Sequence, residues 1–330
     1  MIFFITLLRA LAACLITNAH YIGIYPTDLI ANGGLLGDII FFAVSGYCLF
    51  NVRKSFPRWY GKRLVRVYIP VLLITLIYCL LGFYRVDNSQ EWIWWFIYPT
   101  AYHFVSSILL LYIPFWFVGR FEWLRNRLSW IMGVVAIVYV AIYLCFYDKS
   151  YYHIDDVHEW MIRFLFFESM LLGAWFKKRQ ETNGFVFRWW IAASTAVLFV
   201  VYFISKLFFS RFAQFSYLQI INQFIIFALL FFIFWLVASL DKQLERMPKF
   251  LKGIIEFIAK ITLEIYAVQI VLIDLIRPYL GFPLNWLAVT ASIVIAAFIL
   301  HIISGFIIKK LEILWERVKS LFKKNKSEQV

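Results

Sequence analysis

The chain alternates between long apolar stretches and short polar breaks. A helix needs about 20 mostly apolar residues to cross the hydrocarbon core of a bilayer. Stretches of this kind lie at 2–20, 33–50, 67–84, 100–118, 129–147, 160–176, 189–209, 217–239, 254–276 and 286–308. The pattern therefore predicts an all-α protein, a polytopic transmembrane helical bundle of about ten transmembrane helices.

The basic residues between these stretches predict the orientation of the bundle. Membrane proteins concentrate Lys and Arg in their cytoplasmic loops. With both termini in the cytoplasm, 24 of the 32 Lys and Arg residues fall in inner segments and five fall in outer segments. We therefore expect both termini to be cytoplasmic.

A single domain is expected to account for most of the chain. We predict a transmembrane domain over 1–308 and a basic cytoplasmic tail over 309–330. The tail begins as a basic amphipathic helix, which favours a position on anionic membrane lipid. The sequence contains no internal repeat.

Composition narrows the class of protein further. Hydrophobic residues make up 63% of the chain and charged residues 15%, whereas soluble domains carry about 25% charged residues, so a soluble enzyme is excluded. The net charge of +13 comes from clusters between apolar stretches, as in membrane loops, and we expect no nucleic-acid partner. Cys14, Cys48, Cys79 and Cys145 lie in apolar runs without CxxC spacing, which predicts neither a disulfide framework nor a metal site.

Ionisable side chains inside the apolar stretches are candidate functional groups, because a charge in a bilayer is costly. Arg9 and His20 are eleven residues apart, which places them on one helix face and about 16 Å apart along the axis. Asp38 and Ser45 are seven apart and also share a face. The alternatives are an interfacial His20 with a snorkelling Arg9, and a Ser45–Gly46 pair that lets helices pack closely.

Further along the chain, basic and acidic residues recur at helical spacing. Arg63 and Arg66 are three apart, so in a helix they form one cationic face at the inner membrane surface. Such a face suits the phosphates of a cytoplasmic cofactor, although inner loops are basic in any case. We interpret Lys260 and Glu264 as an intrahelical i,i+4 pair, and His301 has no obvious partner.

Several of these segments together resemble a known family. They are Leu8–Ala12 followed by His20, Gly37–Tyr47, the Arg58–Pro70 segment with its RxxR element, and Lys260–Tyr266. In this order and at this spacing they are similar to the acyltransferase family 3 membrane proteins, which have about ten transmembrane helices with cytoplasmic ends.

The resemblance implies an acyl-CoA-dependent carbohydrate O-acetyltransferase. Such an enzyme moves an acyl group, usually the acetyl group of cytoplasmic acetyl-CoA, to a hydroxyl of a cell-surface or exported glycan, in the inner (plasma) membrane of bacteria. Arg9 and His20 match the essential Arg and His of the family's first helix, and Arg63 and Arg66 match its RxxR arginines.

The chain also departs from the family pattern at two places. The fourth stretch leads from Tyr102-His103 to Tyr112 without the Trp that the family often has, and Gln269 stands where the late helix often ends in His. These departures bear on the acceptor or acyl group more than on the reaction type.

A mechanism follows from these assignments. We assign His20 and Asp38 to catalysis, and Arg9, Ser45, Arg63, Arg66 and Tyr112 to binding of acyl-CoA or substrate. His20 would act as general base or accept the acyl group covalently, and Asp38 would orient its imidazole. The expected partners are acyl-CoA as donor substrate, a glycan acceptor and membrane lipid, with no permanently bound cofactor and no metal.

The competing hypothesis is a transporter or flippase of a lipid-linked sugar, which would also have about ten spans and scattered buried charges. Against it, the sequence contains no pair of Gly/Pro-broken helices in matching halves. The candidate residues also concentrate in the first three stretches. The sequence leaves the acceptor, the acyl group, the choice between direct transfer and an acyl-enzyme, and the oligomeric state open.

Overall fold

The computed structural model describes residues 2–99 and 102–327, with the backbone alone for 316–327. Every regular element of this part of the chain is helical, which confirms the all-α prediction. The α-helices are α1 Phe3–Ala19, α2 Gly34–Leu49, α3 Phe56–Leu80, α4 Ser89–Trp92, α5 His103–Arg120, α6 Glu122–Arg125, α7 Leu128–Phe146, α8 Ile162–Thr182, α9 Trp189–Arg211, α10 Ile220–Ser239, α11 Asp241–Leu244, α12 Lys249–Lys260, α13 Thr262–Ile276 and α14 Leu284–Ser327. A π-helical turn spans Ile93–Ile97, and 3₁₀ turns span Ala213–Leu218 and Arg277–Tyr279.

The helices agree with a multi-pass membrane protein. Six of those in the described ranges, namely α3, α5, α7, α9, α10 and α14, are long and apolar enough to cross a membrane, and α1 and α2 are shorter apolar helices. A helix lies at each of the ten predicted stretches. The count of ten spans and the cytoplasmic termini stay predictions. Residues 100 and 101 of the fourth stretch and 328–330 of the tail lie outside the described residues.

The ninth predicted stretch, 254–276, is divided in the structure between two helices. α12 ends at Lys260 and α13 begins at Thr262, with Ile261 between them at φ −101° and ψ 16°. The Thr262 hydroxyl donates to the carbonyl oxygens of Ile258 and Ala259, and such bonds compete with the continuing helical ladder. The prediction of one continuous helix over this stretch is wrong.

The first of these two helices, α12, is strongly amphipathic. Phe250, Leu251 and Ile254 are exposed on it, with Phe250 at 76% relative exposure. Lys249 and Lys260 mark its two ends. A helix with a basic polar face and large exposed apolar side chains is typical of one that lies along a membrane surface.

Close backbone contact between helices determines the centre of the bundle. A Cβ atom added at Gly46 of α2 would lie 1.9 Å from the Met170 carbonyl oxygen of α8. One added at Gly173 would lie 1.8 Å from the Ala43 carbonyl oxygen. The glycines therefore let α2 and α8 approach more closely than any side chain permits, as the packing interpretation of Gly46 expects.

α13 packs against α1, and α14 packs against α13 and α3. The Thr17 hydroxyl donates to Gln269 Oε1 at 2.9 Å, so α1 and α13 run side by side. The Tyr21 and Thr290 hydroxyls are 2.9 Å apart and link the end of α1 to α14. α14 continues without a break from the last predicted span into the predicted tail, where Glu312 lies 3.9 Å from Lys62 of α3. α13 is thus in contact with both α1 and α14.

Candidate functional site

Three ionisable side chains meet near the predicted outer end of the bundle, and we call His20, Asp38 and His103 the outer cluster. His20 ends α1, Asp38 lies in the first turns of α2, and His103 begins α5. The His103 Nε2 atom lies 3.8 Å from Asp38 Oδ2. His20 is half-buried and interacts electrostatically with both other members.

Aromatic side chains enclose the outer cluster. The Tyr266 ring of α13 lies 6.1 Å from the His103 ring, and the Tyr266 hydroxyl accepts a hydrogen bond from the Phe104 amide. The His158 ring, from the loop before α8, lies 5.7 Å from His103 on the side of the exposed loop. Asp38 is 2% exposed, so its carboxylate sits in a largely apolar enclosure.

Two atoms of this enclosure lack hydrogen-bond partners within the described residues. They are Asp38 Oδ1 and His103 Nε2, both fully shielded from solvent. Buried polar groups are nearly always hydrogen-bonded, because an unpaired one is costly. An unpaired carboxylate oxygen beside an unpaired imidazole nitrogen can bind a hydroxyl group, which both donates and accepts.

The outer cluster adds one residue to the site predicted from sequence. His20 and Asp38 were predicted to act together, and the structure brings them close. However, the ionisable side chain at ion-pair distance from Asp38 is His103, which the predicted site did not include. The available signal was a histidine early in the fourth apolar stretch. Its contact with Asp38 was missed because the two residues are far apart along the chain.

A second group of polar residues lies deeper in the half of the bundle that is predicted to be cytoplasmic, and we call Arg9, Arg63 and Tyr112 the inner cluster. Arg9 of α1 and Arg63 of α3 both interact electrostatically with Tyr112 of α5. Tyr112 is 5% exposed. Three of the predicted binding residues are therefore brought together from three helices.

Arg63 is held in place by the residue one turn before it. Its guanidinium carbon lies 3.9 Å from the centre of the Trp59 ring, and its Nη1 donates to the Trp59 carbonyl oxygen at 2.7 Å. The Trp59 ring in turn packs edge-on against Tyr112 at 5.6 Å. The RxxR segment is helical, but its two arginines differ: Arg63 is half-buried, whereas Arg66 is exposed.

Glu264 supplies the negative charge next to the inner cluster. It is 6% exposed, interacts electrostatically with Arg9, and its Oε1 lies 2.8 Å from His301 Nδ1 of α14. The predicted pair of Glu264 with Lys260 is wrong, because the break at Ile261 places them on different helices. His301, which has no obvious partner in the sequence, finds it on another helix in Glu264.

Ser45 is half-buried on α2, one residue before the glycine at the α2–α8 contact. This position fits the packing interpretation that its spacing left open. Its assignment to substrate binding stays a prediction, as do the roles given to Arg66 and to the two clusters.

Comparison with known proteins supplies the identity of the fold. Residues 2–308 match the family model of an acyltransferase domain, that of acyltransferase family 3. Neither the comparison with curated proteins nor that with solved structures gives a match. Since the matched region covers nearly the whole chain, this multi-pass membrane protein belongs to acyltransferase family 3 and is an acyltransferase.

Proposed function

We propose that this protein moves an acyl group, in the first instance acetyl, from cytoplasmic acyl-CoA to a hydroxyl of a cell-surface or exported glycan. The observation that supports this most strongly is the separation of two polar clusters along one helix. Arg9 belongs to the cationic inner cluster and His20 to the imidazole–carboxylate outer cluster, about 16 Å apart along α1. The proposed location is the inner (plasma) membrane of a bacterial cell, with membrane lipid around the bundle.

The inner cluster suits the donor substrate. Acyl-CoA has phosphate groups, and guanidinium groups bind phosphate through paired charge-assisted hydrogen bonds. Arg66 is exposed and Arg63 is half-buried one turn away, so an anionic headgroup would meet Arg66 first and Arg63 next. Arg9 and Tyr112 would then line the path of the acyl chain toward the outer cluster.

The outer cluster suits transfer to a hydroxyl. In direct transfer, the acceptor oxygen forms a bond to the acyl carbon, the C–S bond breaks, and its electron pair leaves on sulfur. The hydroxyl proton goes to His20 as general base, and it is returned to the CoA thiolate on release. Asp38 would stabilise the imidazolium that forms. In the acyl-enzyme alternative, an imidazole nitrogen of His20 first takes the acyl group from sulfur and then gives it to the acceptor.

The test is turnover by the purified protein in liposomes of defined orientation. Acetyl-CoA is supplied on the side of the chain termini, candidate glycans on the other side, and free CoA thiol is followed with time. We expect acceptor-dependent release that His20→Ala lowers by about 10²- to 10⁴-fold. Size-exclusion profiles and thermal unfolding of both proteins establish that the variant is folded.

The same preparation distinguishes acyl transfer from the competing hypothesis of a transporter. If acetyl-CoA neither binds nor turns over, while a labelled lipid-linked glycan crosses the bilayer, the acyl-CoA-dependent transfer is refuted. If acetyl transfer to the glycan were unaffected by His20→Ala, the proposed reaction would stand, but His20 would have no essential role in it.

A further inference from the structure

We propose that His103 is a positioning residue for acyl transfer: its imidazole pairs with Asp38 and keeps that carboxylate directed toward His20. The inference rests on the proposed function, since it assigns a role within the same site. It concerns a residue of α5 that the sequence-based site did not contain.

Asp38 and His103 form a buried pair. The side chains of Asp38 and His103 are 3% and 12% exposed, and their nearest charged atoms are 3.8 Å apart. A carboxylate in such an enclosure is stable only with a partner, because an isolated buried charge is strongly unfavourable. His103 is the charged or chargeable side chain at ion-pair distance from Asp38 within the described residues.

His20, His103 and Tyr266 share Asp38. His20 interacts electrostatically with Asp38 and with His103, and Tyr266 interacts with Asp38 from α13. The groups that face His103 are therefore His20, Asp38, Tyr266 and, from the loop before α8, His158. One carboxylate serves two imidazoles, so it can balance one positive charge fully but not two.

The role of His103 follows from this sharing. When His20 takes the acceptor proton, the new positive charge needs Asp38, and a neutral His103 can still donate an N–H to the other carboxylate oxygen. Since His103 lies next to Asp38 Oδ2, a hydrogen bond between them would leave Oδ1 available to the reacting side. His103 acts through Asp38 and His20, so its loss should slow the transfer step and leave binding of acyl-CoA at the inner cluster unchanged.

The distance of 3.8 Å agrees with a positioning role. It is longer than an N–H···O hydrogen bond, which requires about 3.2 Å or less. A modest movement of either side chain would bring His103 Nε2 and Asp38 Oδ2 within hydrogen-bond distance. A positive charge on His20, or an acceptor hydroxyl bound at Asp38 Oδ1, would favour this movement. Catalytic hydrogen bonds often tighten only when substrate is bound.

The test compares His103→Phe and His103→Gln with the parent in the liposome assay. Phe keeps an aromatic ring but removes both nitrogens, whereas Gln keeps an N–H donor for Asp38. We expect His103→Phe to lower kcat by about 10²-fold with an unchanged KM for acetyl-CoA, and His103→Gln to recover part of the loss. Ser107→Ala, one turn further along α5 at a buried hydroxyl without a hydrogen bond, is the matched control and should turn over as the parent does.

A second readout is the pH dependence of kcat. Without His103, Asp38 no longer serves two imidazoles, which favours the protonated form of His20. The acid limb of the pH–rate profile should therefore move to higher pH in His103→Phe and less so in His103→Gln. A purely structural role of His103 would lower the amount of folded protein but would leave the pH profile of the folded fraction unchanged.

The outcomes separate the two proposals. Absence of acceptor-dependent CoA release by the parent protein refutes the proposed function and this inference with it. Parental turnover with an unchanged kcat and pH profile in His103→Phe overturns the inference alone. So does a raised KM for acetyl-CoA at constant kcat, which would place His103 in donor binding. If His103→Phe does not fold, His103→Gln and His103→Asn are compared instead, and equal activity of both with the parent overturns the inference.

Discussion

The outer and inner clusters differ in how their ionisable side chains are held. In the inner cluster Arg63 stacks on Trp59 and donates from Nη1 to its carbonyl oxygen, while its Nε has no hydrogen-bond partner within the described residues. Beside this cluster, Glu264 binds His301. In the outer cluster Asp38 Oδ1 and His103 Nε2 have no hydrogen-bond partner in the described parts of the chain. The inner cluster therefore has a guanidinium held against a neighbouring ring and carbonyl oxygen, whereas the outer cluster has an unpaired carboxylate oxygen and an unpaired imidazole nitrogen.

The chemistry of the side chains differs in the same sense. Guanidinium groups stay protonated and suit permanent recognition of anions, whereas imidazoles gain and lose protons near neutral pH. The inner cluster is built from the first kind, and the outer cluster combines two imidazoles with one carboxylate. The comparison indicates that binding of the donor and transfer to the acceptor are separated along α1, and each prediction below tests this separation.

The largest effect is expected at the contact between α2 and α8, because both clusters depend on the packing of these two helices. α2 holds Asp38 near one end and reaches the inner half at the other, and Gly46 allows its contact with α8. Gly46→Ala places a Cβ against the Met170 carbonyl oxygen, so the helices must separate. We expect a loss of about 3 kcal/mol or more in stability, and loss of donor binding and transfer together.

Thermal unfolding in detergent and the yield of monodisperse protein measure this effect. Gly133→Ala on α7 is the control, since its added Cβ would meet nothing within 4 Å. A Gly46→Ala protein with parental stability would show that the α2–α8 contact is not as close as described.

The second effect separates the clusters at the outer end. Asp38→Asn keeps the size of the side chain but removes the negative charge that His20 and His103 share. We expect kcat to fall by about 10²- to 10⁴-fold, because the imidazolium formed in transfer is no longer stabilised. The KM for acetyl-CoA should stay near the parental value. Steady-state CoA release at saturating acceptor measures both constants, and a raised KM with an unchanged kcat would contradict the division between the clusters.

The positions of the helices were largely predictable from sequence because apolar length is a local property. A helix lies at each apolar stretch, since about 20 apolar residues in lipid must satisfy their backbone hydrogen bonds internally. The break at Ile261 was not predictable from hydropathy. It coincides with hydrogen bonds of one hydroxyl, that of Thr262, inside a stretch that is apolar on both sides.

The candidate site was predictable only in part, for a physical reason. Spacing places Arg9 and His20 on one face of one helix, but a contact between helices depends on how each helix is rotated about its axis. The pairs Asp38–His103 and Glu264–His301 arise in this way and were missed. The grouping of Arg9, Arg63 and Tyr112 was expected only from the resemblance to the family. The match over 2–308 now shows that the chain belongs to this family.

The third effect separates the clusters at the inner end. Arg63→Gln removes a charged group that we assign to the donor phosphates. A hydrogen bond to a charged group contributes about 1.5–3 kcal/mol, so the KM for acetyl-CoA should rise by roughly 10- to 100-fold with little change in kcat. Arg66→Gln should have a smaller effect, because an exposed charge is screened by solvent.

Donor titrations at low and high salt measure this prediction. The KM difference between Arg63→Gln and the parent should shrink as ionic strength rises, since salt screens the attraction between phosphate and Arg63 that only the parent has. Arg188→Gln, an exposed arginine just before α9, is the charge-matched control and should leave the KM unchanged. If Arg63→Gln and Arg188→Gln changed the KM for acetyl-CoA equally, Arg63 would contribute only to the overall positive charge of the protein and not to a specific contact with the donor.

The smallest effect is expected at the first turn of α1, the helix that connects the two clusters. The Phe4 amide donates to Asp241 Oδ1 at 2.9 Å, so a carboxylate from α11 binds an amide that the helix itself leaves unpaired. Asp241→Ala should cost about 1 kcal/mol in stability, whereas Asp241→Asn keeps an acceptor oxygen and should cost less. Arg9 lies closer to this end of α1 than His20 does, so looser anchoring should raise the KM for acetyl-CoA slightly and leave kcat unchanged. A lowered kcat at parental KM would mean instead that movement at the start of α1 is transmitted to the outer cluster, and the two clusters would then act as one unit.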